Sequence, residues 1–254
     1  MSTQVTLHSV SKVFGDVSAL SEVSLDVESG EIVALLGHNG AGKTVTVRMI
    51  ATLSWPTRGS VTVSDHDTRK DAVGVRRVLG LCLDQPMLWP DLTGSQTLRL
   101  LADANGIPWS VAEQRCGEVL ERLRQPISDS ALVSEYSLGM KRKLGLAMSL
   151  IHDPRVVIWD EPEIGLDAPS RVELKSILSD LRRRGCAIVV TTHAIDLAES
   201  VATRIAVLSH GRLAAFDTPE ALRRQRGADS TLEQAFLALL EDSYAADVNR
   251  GESH

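Results

Sequence analysis

The sequence is short of the features that would place it on nucleic acid or across a bilayer. Aromatic residues make up 4% of its 254 positions, too few for a surface that stacks bases. Positive charge is in the minority: 27 Lys and Arg face 33 Asp and Glu, for a net charge of −6. A phosphate-backbone binder needs a basic face instead. No uncharged apolar run reaches about 18 residues, the length a spanning helix requires. The opening residues lack a basic segment followed by an apolar one, so no secretory leader is expected. Cysteine is down to three, Cys82, Cys116 and Cys186. Far apart and without a CxxC pair, they read as reduced thiols of a cytosolic chain. The seven histidines make no HExxH pattern, which argues against a zinc site.

What is present suits one large folded domain, or one domain with a small lobe and a tail. Hydrophobic residues are 43% and charged residues 24%, enough to build a core. β-rich runs at 5–10, 19–27 and 31–36 open the chain. The last is almost continuously apolar, as in a strand buried on both faces of a parallel sheet. A glycine loop follows, then a helical pattern from 43 to about 53. Another strand is expected at 79–83. From about 92 to 150 the texture turns to Leu, Ala, Glu, Arg and Gln, which reads as a helical lobe inserted between strands. Buried-strand patterns return at 156–159 and 187–191, separated by an Arg-rich amphipathic helix over 169–184. This alternation argues an α/β fold with parallel strands. Strands at 205–208 and 212–216 close the core. Leu232, Phe236, Leu239 and Leu240 make one apolar stripe on a helical tail.

The glycine loop carries chemistry. Gly37, His38, Asn39, Gly40, Ala41, Gly42, Lys43 and Thr44 fit GxxxxGK[ST], a phosphate loop between a buried strand and a helix. Glycines let backbone N–H groups wrap phosphate oxygens, and the helix presents its positive end to the anion. Lys43 is placed to neutralise the β- and γ-phosphates, and the Thr44 hydroxyl to ligate Mg²⁺. Val45 stands where a second hydroxyl could have reached the α-phosphate. Downstream, an apolar strand ends in Asp160-Glu161. Ligands of parallel sheets bind at the carboxyl ends of strands. Asp160 is therefore placed to hold Mg²⁺, directly or through water, and Glu161 to polarise a water for attack on the γ-phosphate. Glu163 competes for that role but is expected to be a loop residue.

Three further segments stand in order around this pair. Tyr136-Ser137-Leu138-Gly139-Met140-Lys141 precedes a long helix. Gly165-Leu166-Asp167 follows Glu161. Thr191-Thr192-His193 ends the next strand. With Gln85 ahead of the helical lobe, the set resembles the nucleotide-binding subunits of ABC transporters over about residues 4–220. The resemblance implies a P-loop NTPase fold: a RecA-like core with a mixed sheet, an antiparallel β lobe and an inserted α-helical subdomain. Domains would run 1–220, with the helical subdomain at about 86–150, and 221–254 as a short helical tail. It implies ATP and Mg²⁺ as ligands. Phe14 would stack on adenine, Gln85 would contact Mg²⁺ or the attacking water, and His193 would hydrogen-bond the γ-phosphate. Ser137 and Gly139 would close the ATP of a second copy in a head-to-tail dimer, with Asp167 at the seam. Physically, Ser137 is also suited to cap the helix that follows it.

The form Tyr-Ser-Leu-Gly-Met followed by Lys-Leu-Gly-Leu-Ala is similar to the ABC-2 type exporter branch. The resemblance then implies an ATPase subunit, homodimeric or paired with a sister ATPase, held on the cytoplasmic face of the membrane by a separate permease chain and binding no nucleic acid. Trp89 and Leu92 would be apolar anchors for that chain. Several positions depart from the usual pattern: His38 for Pro, Val45 for Thr, Glu163 for Thr, and Arg142-Lys143 for Gln-Arg. Arg142 and Lys143 are expected to form a basic solvated face. Two alternatives stay open. One is a non-transport ABC ATPase, although no coiled-coil, zinc insertion or second cassette is visible. The other is a weakly active regulatory subunit, hinted at by Val45 and Glu163.

Overall fold

A computed structural model gives the architecture. It describes residues 2–225, 227 and 230–251, without the side chains of 244–251. In chain order the elements are β1 (Thr3–Phe14), β2 (Val17–Glu28), β3 (Ile32–Leu36), α1 (Lys43–Ile50), β4 (Arg58–Val63), β5 (His66–Asp67), α2 (Ala72–Val78) and β6 (Leu79–Cys82). Then come α3 (Gly94–Ala104), α4 (Trp109–Arg122), α5 (Leu138–Ser149), β7 (Val156–Asp160), α6 (Ala168–Arg183), β8 (Ala187–Thr191) and α7 (Ile195–Val201). The chain closes with β9 (Arg204–Ser209), β10 (Arg212–Asp217), α8 (Pro219–Arg224) and α9 (Leu232–Gly251).

Two sheets share the work. The first has strand order β2-β1-β4-β5 and is antiparallel. The second runs β10-β9-β3-β8-β7-β6, parallel except for the β9–β10 hairpin. The sheet is therefore mixed, as the resemblance implied. The apolar runs explain the layering. Successive strand side chains point to opposite faces, and β7 uses both. Val156 and Ile158 join the core under α1 and the antiparallel lobe. Val157 and Trp159 join the core under α5 and α6. Helices α3, α4 and α5, which sit between β6 and β7, bury a core of their own around Leu98, Leu120 and Leu144. The tail stripe Leu232, Phe236, Leu239 and Leu240 packs against β9 residues Ile205 and Val207.

Several expectations needed correction. Helix α1 stops at Ile50 rather than near 53, because Thr52 takes a left-handed φ of 61° that a helix cannot continue. β4 and α2 were not anticipated: Arg58-Gly59-Ser60 breaks the strand pattern at its start, and α2 is only two turns long. Within the expected domains, Met1, Arg226, Ala228, Asp229 and 252–254 lie outside the described residues.

Trp159 tests the packing. It is fully buried, and its indole N–H donates to Ser149 Oγ at 2.9 Å. Trp159→Ala leaves a cavity and removes one of the two hydrogen bonds of that hydroxyl, which still donates to Leu146 O, and is expected to cost about 3–5 kcal/mol in urea denaturation. A cost under about 1 kcal/mol would mean that β7 is not the buried centre of the sheet.

Candidate functional site

The site follows from strand order. β3, β8, β7 and β6 are neighbours and parallel, so their carboxyl ends share one rim. The glycine loop leaves β3, Asp160 ends β7, Thr191 ends β8, and Asp84 lies just beyond β6. A cavity of about 320 Å³ opens there, and it takes in residues 38–45, Asp84, Asp160, Glu161 and His193.

The loop is shaped by close approach. Gly42, the residue before α1, has φ 107°. A Cβ there would lie 2.5 Å from Leu20 Cδ2, so only glycine lets the antiparallel lobe lie against the loop. Lys43 is buried, with its ammonium donating to Gly37 O at 2.6 Å and His38 O at 3.3 Å. The loop carbonyls hold the charge at the mouth of α1. Burial lowers the Lys43 pKa, against the pull of Glu161 and Asp160. The Val45 side chain is half-buried and lines the cavity with Thr44.

Opposite stands the acidic strand end. Asp160 is buried and accepts a hydrogen bond from the Thr191 hydroxyl. Glu161 sits at a left-handed φ of 51°, a strained state for a non-glycine residue that recurs at functional sites. It is held there by its N–H, which donates to Thr191 O at 3.0 Å and to Thr191 Oγ1 at 3.1 Å. Its carboxylate lies 2.7 Å from His193 Nε2. Burial, then the charge of Glu163, pushes the Glu161 carboxyl up to about 7. Burial, then the Lys43 charge, lowers the His193 imidazole. Burial thus works against the charged form of both groups at this contact.

Other candidates lie off the cavity. Among the described residues, Phe14, Gln85, Ser137, Gly139 and Asp167 do not line it. Phe14 is exposed at the end of β1, with Lys12 Nζ 4.8 Å from its ring centre, and is not a core residue. Gln85 is exposed directly after Asp84, which does line the cavity and was not singled out from sequence. Ser137 caps α5 by accepting from Met140 N–H at 3.2 Å, as its residue type suggested. Gly139 lies so close to Gly165 that a Cβ would strike the Gly165 carbonyl. Asp167 caps α6 and is 4.0 Å from Lys143 Nζ. Trp89 is exposed and Leu92 half-buried.

The expected basic face is overturned. Arg142 is fully buried, and Lys143 is nearly so. Helix α5 is wedged between the helical lobe and the sheet, so almost no side of its middle turns faces water. A signal was available: Arg142 stands four residues before Leu146 and seven before Ser149, the spacing of one helix face, and both are buried. Glu163 stands in the turn after β7, a loop residue as expected, but inside the protein. It is buried and accepts from the Thr192 hydroxyl.

The donors at the rim suit a hard cation. Asp160 and Thr44 offer carboxylate and hydroxyl oxygens, ligand types magnesium prefers, whereas Gln85 lies outside the cavity. Lys43 and the start of α1 suit phosphate.

Comparison with known proteins agrees with this geometry. The family model described as "ABC transporter" matches residues 20–163. The chain is 37% identical over 227 residues to the daunorubicin resistance ATP-binding protein DrrA3 of Streptomyces coeruleorubidus, covering 89% of this chain and 72% of that one. It is 34% identical over 244 residues to the "Probable multidrug ABC transporter ATP-binding protein YbhF" of Escherichia coli K12, covering 94% of this chain and only 42% of that protein. A solved structure described as the ATP binding subunit of an ABC transporter superposes with a TM-score of 0.87 at 29% identity, covering 93% of this chain and 99% of that one.

The raised Glu161 carboxyl has a measurable consequence. Its ionised form is costly in the folded chain and not in the unfolded one. Stability is therefore lost as pH rises from the ordinary glutamate value through about 7. In the nucleotide-free chain, E161Q should raise the thermal midpoint at about pH 8, with little gain at about pH 5. Equal midpoints at the higher pH would contradict the buried-carboxyl account.

Proposed function

The chain belongs to the ABC transporter family as an ATP-binding cassette, and from that premise we propose that it is the ATP-hydrolysing subunit of an ABC-2 type exporter. The observation that carries this reading is the Glu161–His193 contact at 2.7 Å, facing the Lys43 loop across one cavity. A complete pair of this kind favours turnover over a purely regulatory role.

The roles divide as follows. Lys43 and the loop N–H groups bind the phosphates. Asp160 and Thr44, with Gln85, would hold Mg²⁺, which supplies neutralisation of phosphate charge. Glu161 takes the proton of the attacking water, and His193 holds Glu161 and the γ-phosphate in line. Phe14, exposed beside Lys12, offers its ring to the adenine. Ser137 and Gly139 stand away from their own chain's cavity and act on the nucleotide of a second copy. Nucleotide between two copies favours the closed state, and its hydrolysis the open one.

Among the described residues, no helix is long and apolar enough to cross a membrane. A separate transmembrane chain would supply the path. A mainly apolar cavity of about 300 Å³, lined by Met87, Trp89, Leu101 and Met148 among others, supports docking of a short helix from that chain. The relatives' names, daunorubicin resistance and multidrug transport, support an organic cargo moved outward. Localisation at the cytoplasmic membrane face follows from that partner.

ATP turnover by the purified chain is the test. E161Q is expected to lower kcat at least a hundredfold while keeping nucleotide binding, the loss typical of removing a general base. K43A is expected to lose binding itself. A wild type as slow as E161Q, alone and with its copurifying membrane chain, would sink the enzymatic reading.

A further inference from the structure

One buried guanidinium holds two peptide groups of the site. Arg142 on α5 is fully buried. Its Nη2 donates to Asp84 O, the carbonyl of the peptide that leads into Gln85, and at 3.0 Å to Asp84 Oδ1. Its Nη1 donates at 3.2 Å to Asp160 O, the carbonyl of the peptide that leads into Glu161, and at 2.7 Å to Leu83 O. The paired residues of β6 and β7 end at Cys82 and Trp159, so Arg142 bridges the two strands just past their ladder. Gly145 lies one turn further on the same face of α5 and is buried. A Cβ there would stand 2.8 Å from Pro86 Cβ and 3.1 Å from Cys82 Sγ, so glycine lets the helix lie against that chain. The helix therefore grips the chain on both sides of Gln85, which is itself exposed.

We infer that Arg142 and Gly145 are positioning residues, through which one face of α5 fixes the turn carrying Asp84 and Gln85 against the peptide leading into Glu161. A buried charge is tolerated when a counter-charge and hydrogen bonds meet it. The Asp84 carboxylate and three carbonyl oxygens do so here. Holding two strand ends takes the planar fork of Arg, because the compact ammonium of Lys cannot span them. Asp84 lines the cavity with Glu161, so a shift of this turn reshapes the wall of the site. Misplacement by about 1 Å is enough to slow a reaction whose groups must be held in line.

This inference rests on the hydrolytic reading for its kinetics, so its test has two arms. The first needs no activity. A nitroxide label on Q85C reports motion of the turn, since the three native thiols are buried and poorly reactive. In the full nucleotide-free chain the label should become markedly more mobile in R142K and in G145A. An unchanged line shape in either variant would overturn the role of that residue. The second arm is kinetic. R142K keeps the charge beside Asp84 and loses the fork. It should lower kcat on the order of tenfold or more, with KM for ATP changed less than about twofold because the phosphate loop is untouched. ATP should still bind R142K at the wild-type stoichiometry, which separates misplacement from a loss of folded protein. A wild-type kcat in R142K, or a stoichiometry that falls in step with kcat, would overturn the positioning role. Wild-type turnover no faster than that of E161Q removes the hydrolytic reading, while the label still decides whether α5 holds the turn.

Discussion

Everything at the site depends on four parallel strands lying side by side. Because β3, β8, β7 and β6 are neighbours with one direction, the loop after β3 and the acids after β7 meet without further arrangement. The hydrogen-bonded ladder sets their separation, and the apolar residues on both faces keep the ladder from shifting. Val156 through Trp159 are fully buried. A one-residue slip would turn Trp159 into the opposite core and move Asp160 off the rim. The buried core thus serves as the ruler for the chemistry.

Charge is packed densely on that rim. Asp160, Glu161 and Glu163 lie within four residues of one another, all nearly buried. Two buried cations, Lys43 and Arg142, face them from different elements. Desolvation works against the charges of Lys43, Glu161 and Glu163. The rise of Glu161 to about 7 is the visible result. A site so loaded is tense before any ligand arrives, and its tension is held by packing elsewhere, including the left-handed backbone at Glu161. The fully buried Trp159, anchored through Ser149 on α5, belongs to that supporting packing.

Legibility differed by feature. The expected strands at 187–191 and 156–159 match β8 and nearly match β7, because continuous apolar runs bounded by turns have few alternatives. The phosphate loop was legible because its glycines and lysine must stand at fixed spacing. Shorter elements escaped: β4 begins with Arg58-Gly59-Ser60, a poor strand signal whose formation is decided by pairing with β1. Asp84 was invisible as a cavity residue, since only the end of β6 places it there.

Local order and residue type therefore determined the α/β alternation, the phosphate loop, the acidic strand end and the cap at Ser137. These depend on periodicity and on contacts a few residues apart. Tertiary structure decided that Arg142, expected in a solvated face, and Glu163, expected only in a loop, are interior, the helix-face spacing of Arg142 being the one local hint. Their charge made exposure the natural expectation. Burial of α5 between two cores, and of the turn after β7 beneath β8, reversed it. A charged residue goes inside when partners are already there to meet it. Arg142 finds the Leu83 and Asp160 carbonyls and the Asp84 carboxylate, Glu163 finds the Thr192 hydroxyl, and no local pattern in the chain connects them.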